Sequence, residues 1–153
     1  VHSAGVVTLG PLGESPIADL DLNYAVNVRA PVLLTQLLLP RLVERRGQVV
    51  FINSGAGLSA RAEWGHYAAG KHALRAVADA LRDEVRAAGV RVLTCYPGRT
   101  ATPMQARVRA LEGQPYEPSD YASPGDVARV VCEALALPRS AEVTELKVRP
   151  GPG

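Results

Sequence analysis

Two apolar patterns alternate along the chain. Val49-Val50-Phe51-Ile52 and Val90-Arg91-Val92-Leu93-Thr94-Cys95 are short and almost wholly apolar, as expected of parallel strands covered on both faces. Between them Leu74, Val77, Ala78, Leu81 and Val85 recur at i, i+3, i+4, i+7 and i+11. That is the stripe of an amphipathic helix, opening near Trp64 to Tyr67 and closing at Gly89. Upstream, Ser15-Pro16 reads as an N-cap serine and a proline at the first helical position. The helix it starts runs to about Arg46 through Leu22, Val26, Leu33, Leu34, Leu37, Leu38 and Val43. Pro31 and Pro40 are expected to bend or break it, and Gly47 to stop it. Ser123-Pro124 repeats the start signal for a helix through about Leu137, and Val143 to Val148 forms a last strand. Val1 to Val6 reads as a strand end entering a turn, and Tyr96 to Ser123 as a long polar segment without strong periodicity.

Strand alternating with helix predicts an α/β fold, a parallel sheet with helices on its faces, and no second domain, linker or repeat. In such sheets ligands bind beyond the C-terminal strand ends. The loops there run over residues 3–13, 54–63 and 96–123, so Ser54 and the Pro97-Gly98 turn should meet near Tyr67 at one rim.

Composition narrows the partners. The 153 residues are 47% hydrophobic and 21% charged with a net charge of +2, ordinary for one globular domain. Arginines are scattered among acids, so no basic run points to nucleic acid or a membrane surface. The apolar run from Val32 to Leu39 is far too short to span a bilayer. Cys95 and Cys132 stand apart in no metal-binding spacing, which fits a reduced, cytoplasmic protein with no metal site.

The candidate chemistry lies in Tyr67-Ala68-Ala69-Gly70-Lys71. Residues four apart share a helix face, so phenol and ammonium can converge. A cation about 4 Å from a phenol, at an effective dielectric of ~20, contributes roughly 4 kcal/mol and can lower its pKa by up to about 3 units. Only two of the seventeen basic residues are lysines, and one is placed here, where a compact ammonium suits the task better than a planar guanidinium.

Ser54, Tyr67 and Lys71 at this spacing resemble the catalytic set of the short-chain dehydrogenase/reductase family. Asn27, within Val26-Asn27-Val28-Arg29-Ala30-Pro31, is similar to the family's long-helix asparagine, and Pro97-Gly98 with Thr102 to its Pro-Gly-x-x-x-Thr turn. The resemblance implies a Rossmann-like doubly wound sheet, of which residues 1–153 hold the later strands and helices as the catalytic C-terminal portion of a single domain. It implies hydride exchange between a nicotinamide cofactor and a carbonyl or secondary alcohol. In that chemistry Tyr67 is general acid/base, Lys71 holds the nicotinamide ribose and lowers the phenol pKa, Ser54 bonds the substrate oxygen, and Asn27 anchors a relay water. Cofactor contacts are implied at Ala4, Gly5, Tyr67, Lys71, Pro97, Gly98, Thr100 and Thr102. NADP is favoured over NAD. A homodimer or homotetramer is implied, built through the helix around Val32 to Leu39 and the helix carrying Tyr67.

Two departures accompany the likeness. The family's Asn-Asn-Ala-Gly stands here as His2-Ser3-Ala4-Gly5, with His2 read as a strand-end or cofactor-proximal histidine. The family's glycine-rich pyrophosphate turn is absent from the sequence, as is the residue choosing NAD or NADP, so the chain reads as part of a longer protein. Residues 101–121 are expected to form a substrate lid carrying Met104, Val108, Leu111 and Tyr116, with Arg99 an exposed arginine or an anion contact. A hydrolase using Ser54 and His66 is disfavoured, because Ile52-Asn53-Ser54-Gly55-Ala56 lacks both glycines of a nucleophile elbow. The serious rival is a catalytically silent dinucleotide-binding regulator or scaffold on the same fold.

Overall fold

The computed structural model describes residues 1–151. Three parallel strands, β1 (Gln48–Ile52), β2 (Arg91–Pro97) and β3 (Glu145–Val148), lie in the order β1-β2-β3. His2 pairs with the other side of β1. Its N–H donates to the Val50 carbonyl at 2.7 Å, and its own carbonyl accepts from the Ile52 N–H at 2.9 Å. The strand end expected at the start of the chain is thus one parallel bridge, to Phe51.

Alternation along the strands divides the core. Val49, Phe51 and Val92 face α3 (Gly65–Val85), where they pack with Leu74, Ala78, Leu81 and Val85, flanked by Leu39 and Leu42. Val50, Leu93 and Cys95 face the opposite way, against Val127 and Val131 of α5 (Pro124–Ala136). A sheet buried on both faces is why its strands read as continuous apolar runs.

The long N-terminal helix is three pieces: α1 (Ile17–Tyr24), a π-helical turn (Ala25–Arg29) and α2 (Ala30–Glu44). Pro31 has no N–H for the Asn27 carbonyl four residues back, and the pairing slips to five residues, with the Ala30 N–H on the Ala25 carbonyl. The chain neither breaks there nor at Pro40, which α2 carries inside it. Gln36, whose carbonyl Pro40 deprives of a donor, is exposed and can meet water. Ser15 is not the N-cap; its hydroxyl donates to the Pro11 carbonyl at 2.9 Å, and Pro16 takes the cap position. The left-handed residue that ends α2 is Arg46 (φ 46°), not Gly47. Gly47 serves close approach instead, since a Cβ there would lie 2.8 Å from Leu42 Cδ2. Leu33, Leu34, Leu37 and Leu38 are exposed on α2.

An α-helix, α4 (Pro103–Leu111), and a short 3-10 turn (Pro118–Asp120) lie in the segment read as aperiodic. Thr102 caps α4, its Oγ1 accepting from the Gln105 N–H at 3.2 Å, and Pro103 opens the helix's first turn. Ser123 caps α5 the same way, accepting from the Asp126 N–H at 3.1 Å. No helix among the described residues is long and apolar enough to cross a membrane.

Candidate active site

β1 delivers Ser54 two residues past its end, and α3 presents Tyr67 and Lys71 one turn apart. Asn53 joins the two elements. Its Nδ2 donates to the Lys71 backbone carbonyl at 3.1 Å, and its Oδ1 accepts the Ser54 N–H at 2.9 Å. The Ser54 hydroxyl accepts from the Ala56 N–H at 3.1 Å, turning the chain into a short 3-10 segment (Gly55–Gly57), and also hydrogen-bonds the Tyr67 hydroxyl. Serine and phenol therefore meet at this rim, and the ammonium lies 5.8 Å from the phenol ring centre.

The ionisation of the pair differs from the expected one. The Tyr67 phenol lies above its ordinary value, because burial penalises the phenolate more than the Ser54 hydrogen bond favours it. Lys71 is pushed down to about 8 by burial. Its Nζ donates to the Ile52 carbonyl at 3.1 Å and lies 5.8 Å from the Tyr67 ring centre, so its contact is with backbone rather than with the phenol. Burial shifts both groups towards their neutral forms.

Asn27 sits in the π-helical turn, 1% exposed. Its side chain is fully committed: Oδ1 accepts the Val6 N–H at 3.0 Å, and Nδ2 donates to the Val6 carbonyl at 3.0 Å and to Asn23 Oδ1 at 3.1 Å. Asn27 thereby pins the segment after the His2 bridge. Gly5 lies between Asn27 and Lys71; a Cβ there would come 3.1 Å from Asn27 Oδ1 and 3.8 Å from Lys71 Nζ.

Above the strand ends opens a cleft of about 900 Å³, lined by Ser54, Tyr67, Pro97, Gly98, Thr100 and Thr102 among others. Ala4, Gly5, Asn27 and Lys71 do not line it; the lysine stands behind the tyrosine, 4% exposed. Thr102 Oγ1 donates to the Thr100 carbonyl at 3.3 Å while capping α4, and Thr100 Oγ1 donates to the Gly98 carbonyl at 3.1 Å. Of the four apolar lid residues, Met104 and Val108 line the cleft and Val108 packs against Val7 and Tyr67. Leu111 points outward, and Tyr116 stacks on Tyr121 with 5.5 Å between ring centres. His2 is turned away: its Nε2 pairs with Thr35 Oγ1 at 2.9 Å and its ring stacks on Phe51. No group of His, Cys, Asp or Glu among the described residues is arranged to hold a metal.

Several residues at the site escaped sequence reasoning. Asn23 and Asn53 are buried ties that only contacts distant in sequence reveal. Trp64 meets the Tyr67 ring edge-on at 5.8 Å, and its i, i+3 spacing from Tyr67 was the available signal. Arg99 is not a free arginine: it forms a two-pronged pair with Glu112, which nothing in the local sequence announces.

Comparison with known proteins places this geometry. The family model for short chain dehydrogenase matches residues 1–113. The NADPH-dependent 3-dehydrocapnine reductase of Ornithobacterium rhinotracheale is 40% identical over 126 residues, covering 79% of this chain and 44% of that protein. The 1-deoxy-11-beta-hydroxypentalenate dehydrogenase of Streptomyces exfoliatus is 40% identical over 150 residues, 90% of this chain and 51% of that protein. Among solved structures, a metagenomic short-chain oxidoreductase in complex with NADP superposes with a TM-score of 0.77 at 27% identity, covering 99% of this chain and 61% of that one. The chain thus spans about half the length of these two relatives. Its α/β architecture is the Rossmann-like fold of these structures. On the match of the family model and the two relatives, the chain belongs to the short-chain dehydrogenase family.

Proposed function

We propose that the protein is an NAD(P)-dependent oxidoreductase interconverting a carbonyl and a secondary alcohol, with residues 1–153 as the catalytic C-terminal portion of a single domain. The observation that carries this reading is the placing of the Ser54 hydroxyl and the Tyr67 phenol together on the cleft wall, with the buried Lys71 ammonium directly behind the tyrosine. When bound, a nicotinamide dinucleotide supplies or accepts the hydride. The cleft fits such a group, with Pro97, Gly98, Thr100 and Thr102 on its wall and Lys71 directly behind Tyr67. Gly5 acts from behind, by leaving room between Asn27 and Lys71. The NADPH dependence of the Ornithobacterium relative favours NADP over NAD.

In the reducing direction Tyr67 donates its proton to the substrate oxygen, and its raised pKa keeps that proton in place at neutral pH. Ser54 donates a hydrogen bond to the same oxygen, strongest as charge develops on it. Lys71, still largely protonated at neutral pH, gains most from the phenolate that forms, because two buried opposite charges favour each other. Asn27 anchors the water through which the proton is restored, on a turn where Pro31 leaves its carbonyl without the usual helical donor. The exposed leucines of α2 favour a homodimer or homotetramer, and the two free cysteines a reducing, cytoplasmic setting.

The test is carbonyl-dependent NADPH oxidation by the full-length enzyme over a panel of small ketones, wild type against Tyr67→Phe. A loss of about a thousandfold in kcat is expected. An inert wild type that still binds NADPH would instead support a silent dinucleotide-binding regulator.

A further inference from the structure

Glu112, at the C-terminal end of α4, is saturated by arginine. Arg99 donates through Nη1 to Oε2 at 2.9 Å and through Nη2 to Oε1 at 2.7 Å. Arg61 donates to Oε1 at 2.9 Å and Arg109 to Oε2 at 3.2 Å. A carboxylate offers about four acceptor sites, and all are used. Holding α4 against the body takes one such pair. Three guanidiniums on one carboxylate leave two positive charges over, and no acidic residue lines the cleft to balance them.

Two of these arginines, Arg61 and Arg99, are the charged residues of the cleft lining. Arg61 spends one N–H on Glu112 and keeps its other donors free, with its side chain half exposed. It is also ordered in advance: its guanidinium carbon lies 4.1 Å over the Trp64 ring, which in turn meets Tyr67 edge-on at 5.8 Å. The guanidinium therefore lies no farther from the phenol ring centre than those two separations added together. A planar fork held over an aromatic face, beside surplus positive charge in a mostly apolar cleft, is built to receive an oxyanion.

We propose that the cleft selects carbonyl or alcohol substrates carrying a carboxylate a few carbons from the reacting centre, bound by Arg61 and Arg99. The proposal rests on the oxidoreductase reading above. A cofactor phosphate shares the same chemistry. The substrate is favoured because Arg61 reaches the cleft through Trp64 from the side of Tyr67, and because Glu112 belongs to the helix whose Val108 packs on that tyrosine.

The test pairs oxo-carboxylates of increasing chain length with their methyl esters, using the full-length enzyme and its Arg61→Gln variant. Arg61→Gln leaves the two-pronged Arg99–Glu112 pair in place. For at least one chain length the wild type should prefer acid over ester by about tenfold or more in kcat/KM, an advantage that shrinks with salt. The variant should lose most of it through the acid alone. Fluorescence titration with NADPH should give the same Kd for both proteins. Equal use of acids and esters by the wild type would overturn the proposal. So would an equal loss on both in the variant, which marks Arg61 as a packing residue, or a matching rise in the NADPH Kd, which marks it as a phosphate contact. Calorimetric titration with the oxo-carboxylates separates this from the parent reading. Carboxylate binding that needs Arg61, with no ketone turned over, would uphold the anion site and refute the oxidoreductase. Ketone turnover without acid preference would do the reverse.

Discussion

The Lys71 ammonium donates to the carbonyl oxygen of Ile52 at 3.1 Å, fastening the catalytic helix to the last residue of β1. Its environment is otherwise apolar enough to push its pKa down from 10.5 to about 8. This bond sets the lysine behind Tyr67 rather than beside its hydroxyl, and it has consequences for stability.

A group whose folded pKa lies below its unfolded one favours the folded state when neutral. For Lys71 that contribution is complete above about pH 10.5 and is lost as pH falls through about 8. Stability should therefore rise between these values, by about 3 kcal/mol at most. Above pH 10 the raised Tyr67 pKa works in the opposite sense, because its contribution is lost as the phenol ionises. Urea melts across this range should show the rise in the wild type and a flat profile in Lys71→Met.

Asn27→Leu should be among the most damaging changes outside the apolar core. It strands the Val6 N–H and carbonyl, both matched by the Asn27 amide at 3.0 Å, and Asn23 Oδ1. Buried groups left unpaired cost about 1–3 kcal/mol each, so a loss of roughly 3–5 kcal/mol is expected in denaturant melts. A loss under about 1 kcal/mol would mean that water replaces the amide.

Gly57→Ala should disrupt the turn that carries Ser54. Its Cβ would collide with Asn53 Oδ1 and stand 2.9 Å from the Lys71 backbone carbonyl, neither free to retreat. About 2–3 kcal/mol of stability should be lost to this overpacking. Because Asn53 also holds the Ser54 N–H, kcat should fall with it. Thermal melts and single-turnover rates of the variant test both.

Ser54→Ala removes the hydrogen bond that draws the Tyr67 pKa down. Alcohol oxidation needs the phenolate, so the rising, acid-side limb of its pH profile should move to higher pH while kcat drops by about 10²–10³. A lowered kcat with an unmoved limb would separate the serine from the ionisation of the tyrosine.

The apolar runs, the helical stripe and the Ser123-Pro124 signal suffice to derive an α/β sheet with helices on both faces. They suffice because strand burial and helix period are properties of neighbours in sequence. Ser54, Tyr67 and Lys71 were legible as candidates for the same reason: two share a helix turn and the third lies just past the end of a strand. Helix α4 was harder, since it spans nine residues and buries little more than Gln105 and Val108. The Ser15 cap, the break at Pro40 and the helix stop at Gly47 were local rules that packing and solvent access overrode. The raised phenol pKa, the Asn27 and Asn53 ties and the three arginines on Glu112 belong to tertiary structure alone. Each depends on which distant groups share a buried space, and desolvation and hydrogen-bond partners are decided only when the chain has closed around them.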